Sequence, residues 1–417
     1  MNLWNETKSV PVSREQVWSA YKKVKANKGG AGVDEVSMEE FDANRSKQLY
    51  KLWNRMASGS YFPPPLKEVE IEKDDGKTRK LGVPTIADRV AQTVVKEYLE
   101  PRFEKIFSQN SYGYRPNKDA HQALAFVRDN CRKHDWVIDL DIKGFFDNID
   151  HRKLMLAVEK HVPEKWVRMY IQRWLSMPVM LKSGILQEKN GKGTPQGGVI
   201  SPLLANLFLH YAFDAWLEKT DGSVKFARYA DDAIIHCKSK DQAESMLKKV
   251  DERMLKCGLE LHKDKTKLVY CKDNHRKGNY PVVKFDFLGY SFQPRTSRVK
   301  ATGKFFLTYD CAISIKSRKQ IADKLEELDI INLSHKSIVG VAYYLNPTIR
   351  GWINYYGKFR KYEMAYVFNL LSKRLVFWAR KRYKRYRNNM IKAYDWLKRV
   401  KEQYPYLFYH WQVGFHI

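Results

Sequence analysis

The chain has 417 residues, 44% apolar and 29% charged, enough for two or three domains with real cores. Lys and Arg number 75 against 47 Asp and Glu, a formal net charge of +28; like charges repel in the compact state, so such an excess points to a polyanionic partner, nucleic acid first. No run of 18 apolar residues exists, Met1 to Glu15 contains no apolar signal core, and the five cysteines form no Cys-x-x-Cys pair, which argues against a membrane protein, a disulfide framework or a Cys-rich zinc site and for a soluble, cytoplasmic protein.

Residues 1–60 read as short helices, with helical spacing from Glu15 to Val24 broken by Asn27, Gly29, Gly30 and Gly32. Pro63, Pro64 and Pro65 lead into a strand–turn–strand over Leu66 to Leu81, turning at Asp74-Asp75-Gly76. A helix is predicted from Ala87 to Leu99, with Pro101 as its stop. Trp136 to Ile142 reads as a buried strand, and Asp150 as the N-cap of a helix through Val158. A hairpin is expected around Tyr229 to Ile235, then an amphipathic helix from Asp241 to Cys257 ended by Gly258. Strands and helices without regular alternation predict an α+β fold. Beyond about Arg295 strand signals fade and helical, basic, aromatic sequence takes over, so a domain boundary is expected near Pro294–Ala301.

Two acidic sites stand out. Asp139 and Asp141 lie in Val137-Ile138-Asp139-Leu140-Asp141-Ile142, followed by Lys143-Gly144-Phe145-Phe146-Asp147; Asp231 and Asp232 lie in Arg228-Tyr229-Ala230-Asp231-Asp232. Carboxylates embedded in apolar strands are costly unless a cation neutralises them. Two-metal phosphoryl transfer needs such acids from separate strands, converging on ions about 3.5–4 Å apart, and Mg²⁺ suits both oxygen ligands and a triphosphate. Between the sites, Gly193 to Asn206 holds three glycines and two prolines around Gln196, a loop able to approach a ligand closely before a helix from Leu203 to Tyr211.

Together these motifs resemble, in order, those of bacterial group II intron-encoded reverse transcriptases and maturases. Further matching blocks are Lys80 to Thr85 with Asp88-Arg89, Ser111 to Pro116, Phe287 to Tyr290, and Arg350 to Tyr356. The resemblance implies a right-hand polymerase: an N-terminal extension and fingers over 1–130, a palm over 131–295, and a helical basic thumb and maturase region over 296–417. It implies two Mg²⁺ ions, with Mn²⁺ as a substitute, held by Asp141, Ile142, Asp231 and Asp232. Asp141 is chosen over Asp139 because it lies five residues before Phe146, whose ring would exclude a ribose 2′-OH. The same resemblance assigns Lys73, Arg79, Arg115, Gln196 and Lys265 to the nucleotide and its template pair.

From Lys373 to Arg387 there are eight basic residues and no acid, interleaved with Phe377, Trp378, Tyr383 and Tyr386. Charge reaching phosphates and rings stacking on bases suit RNA. As one helix, this segment would put Arg380, Lys384 and Arg387 on a shared face and turn Phe377 and Trp378 inward; these three cations and Arg374 are the expected RNA contacts. The expected partners are a group II intron RNA template, a DNA or RNA primer, and dNTPs, with no membrane. The 30 residues after Arg387 hold no cysteine, so no His-Asn-His endonuclease is expected. Two other functions fit the same motifs: a reverse transcriptase adopted for host defence or repair, and a non-catalytic RNA-binding splicing factor.

Overall fold

The structure, a computed structural model, describes residues 10–72, 78–299 and 301–416. Its strands are β1 (Leu66–Glu72), β2 (Thr78–Val83), β3 (Trp136–Leu140), β4 (Val179–Met180), β5 (Leu186–Gln187), β6 (Lys225–Tyr229), β7 (Asp232–Cys237), β8 (Lys267–Tyr270), β9 (Phe285–Phe287), β10 (Tyr290–Arg298) and β11 (Phe305–Ile313). Helices fall between and after them, giving the expected mixed α+β composition. The chain divides into two compact units: Met1–Asp119 with Asp139–Ile235 and Glu244–Thr266, and Ala120–Ile138 with His236–Ala243 and Lys267–Ile417.

In the first unit, the helix Arg14–Ala26 begins at Ser13, whose hydroxyl accepts from the Gln16 amide while the Gln16 side chain accepts from the Ser13 amide. β1 and β2 pair antiparallel, from Lys67 opposite Val83 to Glu72 opposite Thr78, in a sheet ordered β2-β1-β4-β5. The expected turn, with Lys73 and Asp74-Asp75-Gly76, lies outside the described residues. The helix expected to stop before Pro101 runs from Ile86 to Glu104 with Pro101 inside it. Leu99 and Phe103 are fully buried on either side of the proline, and their packing outweighs the one hydrogen bond it forgoes. Asp150 caps the helix His151–His161, accepting from the Lys153 amide at 2.9 Å. The helix expected over Leu203–Tyr211 is Ser201–Leu209; it continues through a π-helical turn, His210–Asp214, into Ala215–Thr220. β6 and β7 form the expected hairpin beside the end of β3.

In the second unit, β8 lies beside the start of β3, and β9, β10 and β11 form an antiparallel sheet. β10 and β11 pair from Tyr290 opposite Ile313 to Arg298 opposite Phe305. Strand structure therefore runs across the expected boundary near Pro294–Ala301. Pro294 is tolerated because β9 pairs only with Tyr290–Phe292, leaving that edge of β10 free. Helices Ile315–Glu327, Ile338–Tyr356, Ala365–Arg382 and Met390–Gln403 enclose a core that includes Ile321, Leu345, Phe368, Leu371, Trp378 and Leu397.

The basic segment is not one helix. Tyr383 leaves helical geometry (φ −109°, ψ 114°), and Lys384–Tyr386 form a separate 3₁₀ turn. The break lets Tyr383 and Tyr386 pack on Trp396, with ring centroids 5.3 and 5.9 Å away. The Arg380 guanidinium then donates to the Arg387 carbonyl at 2.9 and 3.1 Å. Arg380, Lys384 and Arg387 thus do not share a helix face. Trp378 is buried as expected, but Phe377 is exposed.

Candidate active site

A cleft of about 960 Å³ opens in the first unit, lined by β2, the end of β3, the helix Phe145–Asn148, the loop through Gln196 and the β6–β7 turn. Asp141, Asp231 and Asp232 all line it, as do Ile142, Phe146, Arg79, Gln196 and Lys265. Asp141 follows β3 directly; its carbonyl accepts from the His262 amide at 2.8 Å. Asp139 is not among the lining residues. Among the described residues, the cation paired with the acids is Lys265, whose ammonium lies 3.4 Å from Asp141. Burial, then the neighbouring Asp231 and Asp141, pushes the Asp232 carboxyl up to about 7. Burial also raises Asp231. Asp231 is part-buried and Asp232 is open to the cleft, and the repulsion among the neighbouring carboxylates is a condition a divalent ion would relieve.

The turn carrying them is built rigidly. Ala230 adopts a left-handed φ of 58°. Arg228 is fully buried, donates to the Ala230 carbonyl at 2.9 Å and to Asn206 Oδ1 at 2.9 Å, and grips Asp214 with two bonds of 2.7 and 2.6 Å. Asp214 ends the π-helical turn, so the extra residue in that turn has a consequence at the site. Asn206 donates in turn to the Gly113 carbonyl at 2.8 Å. A Cβ at Gly113 would stand 2.5 Å from the Ala230 nitrogen, so this close approach requires glycine. The Ser111 to Pro116 block thus buttresses the acidic turn. Arg115 serves that block and not the cleft: its guanidinium pairs with Glu104 at 2.8 Å and donates to the carbonyls of Ser108 and Ser111, and it is buried away from the lining. Its expected place at the nucleotide is corrected accordingly.

Phe146 is buried against Phe145 and lines the cleft. Its carbonyl accepts from the Thr194 amide at 2.7 Å, which ties it to the glycine-rich loop. In that loop, Gln196 lies between Arg79, which donates to its Oε1 at 2.7 Å, and Asp147, which accepts from its Nε2 at 3.1 and 3.2 Å. Lys73 lies outside the described residues. Lining residues given no role from the sequence include Asp147, Tyr114 and Lys189. Among the described residues the buried Lys189 amine has no hydrogen-bond partner, and burial draws it down to about 8. Nothing in Glu188 to Lys192, which reads as a polar surface loop, marks it. Among the described residues, no three His, Cys, Asp or Glu side chains close into a ready-made metal shell.

Residues 71–292 match the family described as reverse transcriptase (RNA-dependent DNA polymerase), and residues 318–396 match the group II intron, maturase-specific domain. The chain belongs to the reverse transcriptase family. Among its relatives, group II intron-encoded protein LtrA of Lactococcus lactis subsp. cremoris is 34% identical over 196 residues, covering 46% of this chain and 32% of the relative. Protein YkfC of Escherichia coli K12 is 31% identical over 307 residues, covering 64% of this chain and 77% of the relative. A putative COX1/OXI3 intron 1 protein of Saccharomyces cerevisiae is 28% identical over 222 residues, covering 52% of this chain and 26% of the relative. The match to LtrA therefore spans about a third of that protein's length. The reverse transcriptase match contains Asp141, Phe146, Gln196, Asp231 and Asp232, and the maturase match contains Arg374, Arg380, Lys384 and Arg387. Among the described residues, no helix is long and apolar enough to cross a membrane.

Proposed function

We propose that this protein is an RNA-directed DNA polymerase that extends a DNA or RNA primer on an RNA template by two-metal phosphoryl transfer, and that it binds its group II intron RNA to assist splicing and retrohoming. The observation that carries the polymerase reading is that Asp141, Asp231 and Asp232 line one open cleft, where the carboxyls of Asp231 and Asp232 are raised in part by the charge of Asp141. Asp141, Asp231, Asp232 and the backbone at Ile142 would hold two Mg²⁺ ions, or Mn²⁺ in their place, which would supply Lewis acidity for phosphoryl transfer. Phe146 stands under the sugar of the incoming nucleotide and excludes a 2′-hydroxyl by bulk. Gln196 lies along the templating pair, Arg79 faces the triphosphate, and Lys265 balances Asp141; the triphosphate role of Lys73 rests on the resemblance alone. In this reading residues 1–130 supply the extension and fingers, 131–295 the palm, and 296–417 the thumb and maturase region, with the β10–β11 hairpin bridging the last two.

The intron-binding part rests on the maturase-specific match and on exposed Lys384 and Arg387 beside the aromatic cluster of Tyr383, Tyr386 and Trp396. The experiment is primer extension on an RNA template with dNTPs and Mg²⁺, alongside Asp231→Asn. Synthesis by the wild type and none by the variant supports the reading; synthesis by both removes the metal assignment, and synthesis by neither removes the polymerase.

A further inference from the structure

The contact of Arg79, Gln196 and Asp147 has a direction fixed by chemistry. A guanidinium only donates, and an ionised carboxylate only accepts. Arg79 Nε reaches Gln196 Oε1 at 2.7 Å, while the Asp147 oxygens lie 3.1 and 3.2 Å from Gln196 Nε2. The amide therefore has one orientation: its oxygen is turned to Arg79 because its nitrogen is claimed by Asp147. Without Asp147 the amide could rotate by half a turn, and its NH₂ would then face the guanidinium, donor against donor.

The backbone reinforces the arrangement at both ends. The Gln196 carbonyl accepts from the Gly82 amide on β2 at 2.8 Å, so loop and strand are stitched together. A Cβ at Gly197, whose φ is 118°, would stand 2.8 Å from the Gly82 oxygen, so the approach demands glycine. Asp147 sits one residue after Phe146 in the short helix Phe145–Asn148, and its amide donates to the Gly144 carbonyl at 3.0 Å. All three side chains line the cleft. Among the described residues, the side-chain hydrogen bond of Arg79 is made through Nε and does not use its two terminal nitrogens.

We infer that Asp147 is a positioning residue: its carboxylate orients the Gln196 amide, and through it holds Arg79 ready for the phosphates of an incoming nucleotide. This rests on the polymerase reading and extends it to a residue that does not itself touch substrate. The side chains are solvent-accessible, so their contacts contribute little to stability. Their effect is preorganisation, which appears in substrate binding.

The test is a double-mutant cycle of Asp147→Ala and Gln196→Ala in steady-state single-nucleotide incorporation on an RNA template. Alone, Asp147→Ala should raise the KM for the correct dNTP about five- to tenfold and lower kcat much less, within the range of coupling between contacting residues. In the Gln196→Ala background the same change should add less than about twofold, because the group it orients is gone. Asp147→Asn retains an oxygen that can accept from Nε2 and should recover most of the loss. Additive effects, a fall in kcat at unchanged KM, or failure of Asp147→Asn to recover more than Asp147→Ala would each overturn the inference while leaving the polymerase standing. A wild type that incorporates no nucleotide would overturn both, and that control is read first.

Discussion

In the first unit the decisive charges are carboxylates crowded into one cleft, whereas in the second they are cations, many already tied down. Asp231 and Asp232 are raised by burial, and the ammonium beside the group, Lys265, stands 3.4 Å from Asp141 in an exposed pair. Among the cations of the maturase match, Arg374 pairs with Glu326 at 2.7 Å, Arg380 donates to the Arg387 carbonyl, and Arg382 donates to the Ser334 carbonyl at 2.6 Å. Lys384 and Arg387 are among the exposed cations of the segment, with Lys373 and Arg385. The difference teaches that the acidic site gathers mutually repelling carboxylates, whose repulsion a bound cation would relieve. The basic segment is complete as a fold and offers only its outermost charges to RNA.

If that contrast is right, disturbing the acidic site has the larger consequences. Asp231→Asn should reduce dNTP incorporation by about a thousandfold or more, the several kcal/mol expected from a metal-stabilised transition state. RNA affinity, measured by filter retention on the same preparation, should stay within a few-fold. Asp214→Ala leaves Arg228 buried and unpaired, and should cost about 3–5 kcal/mol of stability, read as a fall in Tm. An unchanged Tm would mean that Arg228 finds another partner and that the acidic turn is not held as described.

The sugar contact should follow. Phe146→Val should admit ribonucleotides, lowering dNTP-over-rNTP discrimination by about ten- to a hundredfold, in line with the 1–3 kcal/mol that pocket bulk supplies. An unchanged ratio would mean that another group guards the sugar. On the basic side, Lys384→Ala with Arg387→Ala should weaken intron RNA binding by about tenfold and reduce its salt dependence by about 0.7–0.9 per lost phosphate contact. Stability should change by less than about 0.5 kcal/mol per site. Adding Arg380→Ala should lower Tm as well, because that side chain holds the Arg387 carbonyl. Equal losses of affinity and stability in the double variant would make the segment a structural element alone.

These outcomes bear on what the sequence made legible. The acidic pairs, the hairpin of β6 and β7, the Asp150 cap and the Gly258 stop were readable because each depends on local pattern or on a residue with one favoured conformation. Arg115 was misplaced because its partners, Glu104 and the carbonyls of Ser108 and Ser111, are set by tertiary packing that its own motif does not announce. The helix end at Tyr383 was missed for the same reason, since its neighbours favour helix and the break is driven by rings packing on Trp396. Pro101 was read as a stop, although two buried neighbours carry the helix past it. Asp147 and Lys189 carried no pattern of their own, and only the folded cleft gathers them beside Phe146 and Gln196.

The central claim is that Asp141, Asp231 and Asp232 form a site waiting for divalent cations. Mn²⁺ titration followed by electron paramagnetic resonance, with template–primer and dNTP present, tests it without relying on turnover. The wild type should bind Mn²⁺ in the cleft, and both Asp231→Asn and Asp232→Asn should lose that binding. Because the Asp232 carboxyl sits near 7, a proton competes with the metal below that value. Affinity should therefore fall as pH drops from 8 to 6, by up to about tenfold per pH unit for each proton displaced. Mn²⁺ bound equally by the wild type and both variants, with no pH dependence across that range, would contradict the account.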